Sequence, residues 1–122
     1  MGVVSLVTTT GRGVPARLPI ASGYERLAEV LDAALDQAQS GKGKERHAGE
    51  GEPFHDQQIV QLCEWMGSTQ GDVFQAAKKA IESTRLPDDR AEAELLGAIN
   101  YLAAAVLVLR RRRARDGEEI LR

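Results

Sequence analysis

Apolar and polar positions along the chain follow the period of an α-helix in four stretches. The first covers residues 23–39, where apolar side chains recur at steps of three and four. They are Leu27, Val30, Leu31, Ala34, Leu35 and Ala38. The sequence SGYE at Ser22–Glu25 has the pattern of a capping box, and Gly41 is a natural stop signal. This stretch predicts an amphipathic helix.

Two shorter helices are predicted next. One starts at Asp56, which can cap it, and ends at Gly67. Its apolar face consists of Ile59, Leu62, Cys63 and Met66. The other runs from about Gly71 to Arg85. Its apolar side consists of Val73, Ala77, Ala80, Ile81 and Thr84, and Lys78 and Glu82 form a spaced pair on its surface.

The fourth predicted helix starts after Pro87 and continues to about Arg113. From Ala98 to Leu109 it is apolar nearly all round, which is typical of a helix at the centre of a bundle or shared between subunits. Four helices in about ninety residues bury little surface. We therefore expect a homo-oligomer.

Residues 3–9, VVSLVTT, are β-branched enough for one short strand, and glycines and prolines follow. A strand here must pair across an oligomer, pair with a second strand around Val14–Ile20, or stay loose. The predicted fold class is mainly α, a four-helix bundle-like single domain with a short N-terminal extended segment. We divide it into an extended segment or arm (1–21), a helical domain (22–113) and a polar C-terminal tail (114–122).

Composition and charge narrow the class of protein. The net charge of -2 divides into -5 for residues 1–109 and +3 for 110–122, so a dedicated nucleic-acid binder is not expected. The only basic patch predicted to contact nucleic acid or a protein partner is the arginine tail, Arg110–Arg115. The start of the chain is a poor signal peptide, and the run YLAAAVLVL is far shorter than the ~20 residues of a membrane span. We expect a soluble, cytoplasmic protein without a membrane partner.

The segment SGKGKERHAGEGEPFHD, Ser40–Asp56, is the first candidate site. It is not a Walker motif, because its glycines follow a helix and Glu45 follows Lys44. Its basic half could still hold phosphates through Lys42, Lys44, Arg46, His47 and glycine N–H groups. The alternative is a solvated linker. Its histidines and acids lack the compact spacing of a metal site, and the single Cys63 is expected to be a buried, inert thiol.

The fourth helix holds the second candidate site. Asn100 interrupts its apolar face, either as a buried amide that fixes helix register or as a group that contacts a base edge or ribose. Gly97 in mid-helix indicates close approach of another helix. Glu94 is a rim residue with a possible ligand contact, and Tyr101 can stack or hydrogen-bond.

Two segments together, SGKGKERHA…PF…Q and QAAKKAIES…EAELLGAINYLAAAVLVL, resemble small phage-type helical proteins of uncharacterised role. Over residues 24–109 the order of parts is more loosely similar to the all-α NTP pyrophosphohydrolases, including MazG-like and dATP/dGTP diphosphohydrolase-like proteins. The late helix of the MazG-like branch often reads E-L-x-D-x-x-N-Y-L. Glu94–Leu102 reads E-L-L-G-A-I-N-Y-L, so that the metal-holding Asp of that family falls on Gly97.

With the acid missing at Gly97 and a basic loop present, this resemblance implies a non-catalytic binder of a phosphorylated nucleotide, such as a cyclic or signalling nucleotide, as in a phage anti-defence sponge. We expect this binder to need no cofactor. The expected ligand contacts are Lys42, Lys44, Arg46 and His47 to phosphates, Asn100 and Tyr101 to base or ribose, and Glu94, in pockets between subunits. One alternative is a Mg²⁺-dependent nucleotide pyrophosphohydrolase that uses Glu82, Glu92 and Glu94. A second is a protein- or nucleic-acid-interaction module that docks through the fourth helix or the arginine tail.

Overall fold

The computed structural model describes residues 3–4, 18–40 and 52–121. Within these ranges the helices are α1 (Glu25–Ser40), α2 (Gln58–Met66), α3 (Gln70–Ser83) and α4 (Asp88–Leu121). A short 3₁₀ turn at Phe54–Asp56 precedes α2. The predicted mainly α fold class is confirmed.

The chain divides into two compact units, Met1–Ala33 and Ala34–Arg122, and the boundary falls within α1. In the first unit, β1 (Val3–Val4) pairs antiparallel with β2 (Ile20–Ala21), with Val3 opposite Ala21. The short strand predicted near the start of the chain therefore pairs with a second strand of the same chain. Residues 5–17 lie outside the described part of the chain.

A turn, rather than the predicted cap at Ser22, leads into α1. Gly23 has a φ of 92°, and the Tyr24 N–H donates to the Ala21 carbonyl oxygen at 3.1 Å. This left-handed conformation suits glycine, and it separates Ser22 from the helix start. The Glu25 carboxylate accepts a hydrogen bond from the Gly23 N–H at 2.9 Å. Glu25, the acidic residue of the predicted capping box, therefore still satisfies a backbone donor before the helix.

The core of the second unit lies between α2 and α4. It consists of the buried residues Ile59, Val60, Cys63, Ala104 and Val108, with Phe54, Tyr101 and Leu107 packed against them. Of the four residues predicted to form the buried face of α2, only Ile59 and Cys63 are buried. Leu62 and Met66 are 51% and 64% exposed, because the first turn of α2 directs the adjacent Ile59 and Val60 inwards instead. Gly67 ends α2 as predicted, with a φ of 67°.

The orientation of α3 differs from the sequence prediction. Its buried residues are Asp72, Ala76 and Ser83, whereas Val73 and Ile81 on the predicted apolar side are 47% and 61% exposed. Small side chains allow two helix backbones to approach closely, and α3 makes its main contacts with α4. The face of α3 that packs against α4 is therefore the one with small and polar residues, and the larger apolar residues of α3 are exposed to solvent.

The longest helix, α4, extends beyond the predicted end at Arg113 to Leu121. The residues predicted to form a polar tail therefore continue the helix, as the high helix propensities of Ala, Arg and Glu allow. Two arginines near the C-terminal end of α4 donate hydrogen bonds to backbone carbonyl groups on either side of α2. Arg111 donates to the His55 carbonyl oxygen at 2.7 Å, and Arg112 donates to the Gly67 carbonyl oxygen at 3.0 Å.

By length and composition, the part of α4 from Asp88 to Glu118 is also long and apolar enough to cross a membrane. The uninterrupted run YLAAAVLVL underestimates this helix, because Gly97, Asn100 and flanking apolar residues extend the stretch without adding charge. The core helix of a soluble protein meets the same criterion. However, only 28% of the most apolar 18-residue window within it is buried in the described structure.

Candidate ligand-contacting surface on the long helix

The predicted site residues fall into two groups. Lys42, Lys44, Arg46 and His47 belong to residues 41–51 and lie outside the described part of the chain. The other three, Glu94, Asn100 and Tyr101, lie on the half of α4 nearer its start and are all partly buried. Because residues at steps of three and four share one side of a helix, Glu94, Gly97 and Tyr101 follow a single side of α4.

A lysine on α3 connects two of these residues. The Lys79 ammonium lies 3.3 Å from Glu94 Oε2, and their side chains are only 13% and 27% exposed. The same ammonium lies 6.0 Å from the centre of the Tyr101 ring, at the limit of a cation–π contact. Lys79 is not predictable as a site residue from the sequence, because its partner is on another helix and the neighbouring Lys78 has a plausible partner within α3.

Gly97 lies under the stem of this lysine. A Cβ at position 97 would come 3.2 Å from Lys79 Cδ and 3.3 Å from Lys79 Cε, and 3.5 Å from Gln37 Nε2 on α1. The predicted close approach at Gly97 is thereby confirmed. The space beside position 97 is occupied by the lysine side chain.

Asn100 joins α4 to the second half of α1. Its Nδ2 donates to the Ala34 carbonyl oxygen at 2.9 Å, and Ala34 is buried. This bond gives Asn100 the register-fixing role that was one of its two predicted roles. A contact of its Oδ1 with a ligand stays a prediction.

The three acids of the enzyme alternative do not converge. Glu82 on α3 and Glu92 on α4 are exposed to solvent, and Glu94 is paired with Lys79. Across residues 18–40 and 52–118, no three His, Cys, Asp or Glu side chains come together as a group that could hold a metal ion. Acids in this arrangement do not form the clustered oxygen ligands that Mg²⁺ requires.

The arginine tail is divided between structural and exposed residues. Arg111 forms an ion pair with Glu64 on α2, and it lies 3.5 Å from Asp56 Oδ1 in the 3₁₀ turn. Arg110, Arg113 and Arg115 are exposed. The tail was predicted as an exposed helix end, and this is correct for those three arginines but not for Arg111, which is shielded by its partners.

A buried acid lies at the start of α3. Asp72 is 4% exposed, and its Oδ2 has no hydrogen-bond partner within the described residues. Burial raises the pKa of Asp72 to about 6, against a smaller lowering by the hydrogen bond with the Cys63 thiol. Burial also raises the pKa of Cys63, which is 1% exposed, so the predicted burial of this thiol is confirmed, and its inertness stays a prediction.

Comparison with protein-family models, with curated proteins and with solved structures finds no match to this chain. The fold and the contacts above define it as a mainly α protein. The similarity to the all-α pyrophosphohydrolases rests on the sequence segments alone and stays a prediction.

Proposed function

We propose that this protein binds a phosphorylated nucleotide without hydrolysing it. The observation that carries the proposal is the cluster in which Lys79 on α3 contacts Glu94 and Tyr101 on α4. Asn100 is the neighbour of Tyr101 in the sequence, and it adds an amide beside this cation, acid and aromatic ring. An ammonium has three N–H donors, so Lys79 can hold Glu94 and a phosphate oxygen together. Aromatic rings and amides are suited to a base or ribose.

The position of the end of α1 supports this proposal. The Gln37 amide reaches the surface of α4 at Gly97, and α1 ends three residues later at Ser40. Those three residues advance about 4.5 Å along the helix axis. Lys42 follows two residues after Ser40 in the sequence and lies outside the described part of the chain. The basic half of this segment, Lys42–His47, is proposed to supply the phosphate contacts.

Two features favour binding over hydrolysis. A pyrophosphohydrolase needs acids that gather Mg²⁺ against the phosphates, and Glu82, Glu92 and Glu94 are dispersed. Position 97 carries no carboxylate, and its space is filled by the stem of Lys79. The proposed protein therefore holds its ligand with positive side chains and backbone donors, and the proposal includes no cofactor.

Calorimetry with mono-, di- and cyclic nucleotides tests binding directly. We expect one or more of them to bind without Mg²⁺, and the affinity to fall about tenfold or more in Lys42→Ala/Lys44→Ala, as loss of charge-assisted phosphate contacts requires. Lys79→Ala should weaken binding, whereas Lys78→Ala removes an exposed lysine from the neighbouring position and is the matched control. Failure of every nucleotide to bind would refute the proposal, and release of pyrophosphate would favour the enzyme.

The proposal extends to a biological setting. A non-hydrolytic binder can act by sequestration, and we propose that this one removes a signalling nucleotide from the cytoplasm, as a phage-encoded anti-defence sponge would in its host. Mass spectrometry of small molecules released from the purified, heat-denatured protein should identify the bound nucleotide. Recovery of no phosphorylated compound from freshly purified protein would count against sequestration, even if calorimetry shows weak binding.

Nucleic acid is not the proposed partner. Arg111 and Arg112 are engaged with the α2 region, which leaves a short row of exposed arginines beside acids. A protein that neutralises many phosphates shows a steep fall of affinity with salt concentration. We expect no such binding to duplex DNA in a titration between low and physiological salt.

A further inference from the structure

One face of α4 carries large apolar residues that nothing in the described chain covers. We call it the α4 seam, and it consists of Leu95, Ile99, Leu102, Val106 and Leu109. Four of these are between 43% and 49% exposed, and Ile99 is partly buried. Their spacing alternates between three and four residues, which is the spacing of the interior positions in a coiled coil.

The α4 seam is separate from the face that α4 buries in its own chain. The buried face contains Ala98, Ala104, Ala105 and Val108, whereas the seam lies beside it, along the solvent side. Two neighbouring apolar faces explain why α4 is apolar nearly all round. One face belongs to the core of the second unit, and the other has no partner among the described residues.

We infer that the α4 seam binds the α4 seam of a second copy of this chain, with the two helices antiparallel. Four of the five residues on the seam are arranged symmetrically about one point. The midpoint between Ile99 and Leu102 is also the midpoint between Leu95 and Val106. A two-fold axis through this point therefore places Ile99 opposite Leu102 and Leu95 opposite Val106, as an interface between identical copies requires, and places Leu109 opposite Glu92 at the rim.

Charges at the two ends of the seam select the antiparallel direction. Asp88 and Arg113 share the same midpoint, and both are exposed positions that continue the coiled-coil spacing. Asp89 and Arg110, one position further round the helix, are also exposed and are placed near one another across the interface. A parallel pair would instead bring acid against acid at one end and arginine against arginine at the other.

The exposed apolar side of α3 does not offer the same argument. Val73, Phe74 and Ile81 are exposed there, but no acidic end and basic end flank them. A membrane or an unrelated protein could also cover an apolar helix. The charged ends of the seam favour a second copy, because they match each other and not a hydrocarbon layer. This inference is independent of nucleotide binding.

Analytical ultracentrifugation of the full chain tests the interface. We expect a dimer that Leu102→Asp weakens about a hundredfold or more, because each subunit then buries a charge at the centre of the seam. Leu62→Asp is the matched control, since Leu62 on α2 is 51% exposed and Leu102 is 49% exposed. Circular dichroism checks that both variants fold. A monomer at high concentration, or a dimer unaffected by Leu102→Asp, would overturn the proposal.

Charge reversal tests the direction. Asp88→Arg and Arg113→Asp should each weaken the dimer about tenfold, because each creates two like-charge contacts, and the combined variant should restore it. A parallel dimer gives no such rescue, since each position then faces itself. Vesicle flotation tests the alternative occupant, and stable partition of the wild-type chain into lipid in place of dimer formation would also overturn the inference.

Disulfide trapping gives the register. When Ile99→Cys and Leu102→Cys chains are mixed under oxidising conditions, we expect the mixed disulfide to form. Leu95→Cys should not cross-link to itself, because the two copies of position 95 would lie about 17 Å apart along the axis. Cys63 is 1% exposed and should not interfere. Efficient self-linking of Leu95→Cys would show a parallel pair and refute the proposed arrangement.

Discussion

The Asn100 amide and the Ala34 carbonyl oxygen are joined by a 2.9 Å hydrogen bond across 66 positions of sequence. A side-chain hydrogen bond of this kind contributes about 1 kcal/mol, and more when its loss leaves a buried group without a partner. We expect Asn100→Leu to lower the free energy of unfolding by about 1–2 kcal/mol. Urea denaturation measures the change, and Gln39→Leu at an exposed position of α1 is the control. An unchanged stability would show that the bond does not fix α1 against α4.

Asp72 predicts a pH dependence of stability. Its pKa is about 6 in the folded chain, above its ordinary value of 3.8, so the folded state holds the proton more tightly. Stability should therefore fall as pH rises from about 4 to about 6, by about 3 kcal/mol, and change little from this residue above that. Asp72→Asn should remove the fall and be more stable than wild type at pH 7.5. Parallel pH profiles of the two proteins would contradict this.

The contact between Gly97 and Lys79 predicts an energetic coupling. Replacing glycine by alanine within a helix usually gains about 1 kcal/mol. In the wild-type background Gly97→Ala should lose that gain, because the new Cβ displaces a lysine stem held by Glu94. In the Lys79→Ala background the gain should reappear. A double-mutant cycle by urea denaturation should give a coupling of about 1–2 kcal/mol, and additive effects would contradict the observed packing.

Arg111 and Arg115 should differ sharply despite their proximity. Arg111 pairs with Glu64 and donates to the His55 carbonyl oxygen, whereas Arg115 is exposed. Truncating one partner of a shielded, hydrogen-bonded charge pair leaves the other uncompensated. We expect Arg111→Ala to cost about 2 kcal/mol in thermal or urea unfolding, and Arg115→Ala to stay within about 0.5 kcal/mol. Equal effects would show that Arg111 is a surface residue in solution.

Helix positions were largely predictable, because they depend on local signals. The apolar periodicity of residues 23–39 located α1, and Gly67 marked the end of α2 through its left-handed backbone. The small residue Gly97 indicated close helix approach, and this was correct. Such signals act within a few residues of chain, so they can be read without knowledge of the remaining fold.

The faces that the helices bury were less predictable. Hydrophobic periodicity assigned the Val73 and Ile81 side of α3 to the interior, but close packing against α4 favoured the side with Ala76 and Ser83. Lys79 was missed for a related reason, since its partner Glu94 is on a different helix. Which side a helix buries depends on the shape of its neighbour, and that information is distributed over distant parts of the sequence.

The connections between the helices also bear on the order of folding. Three residues separate α2 from α3 and four separate α3 from α4, so contacts among these helices close short loops. Short loops cost little entropy to close, and helices joined in this way form early. The bond from Ala34 to Asn100 closes a far longer loop. We expect α2–α4 to form the nucleus of the second unit, and the docking of the end of α1 to complete the native state.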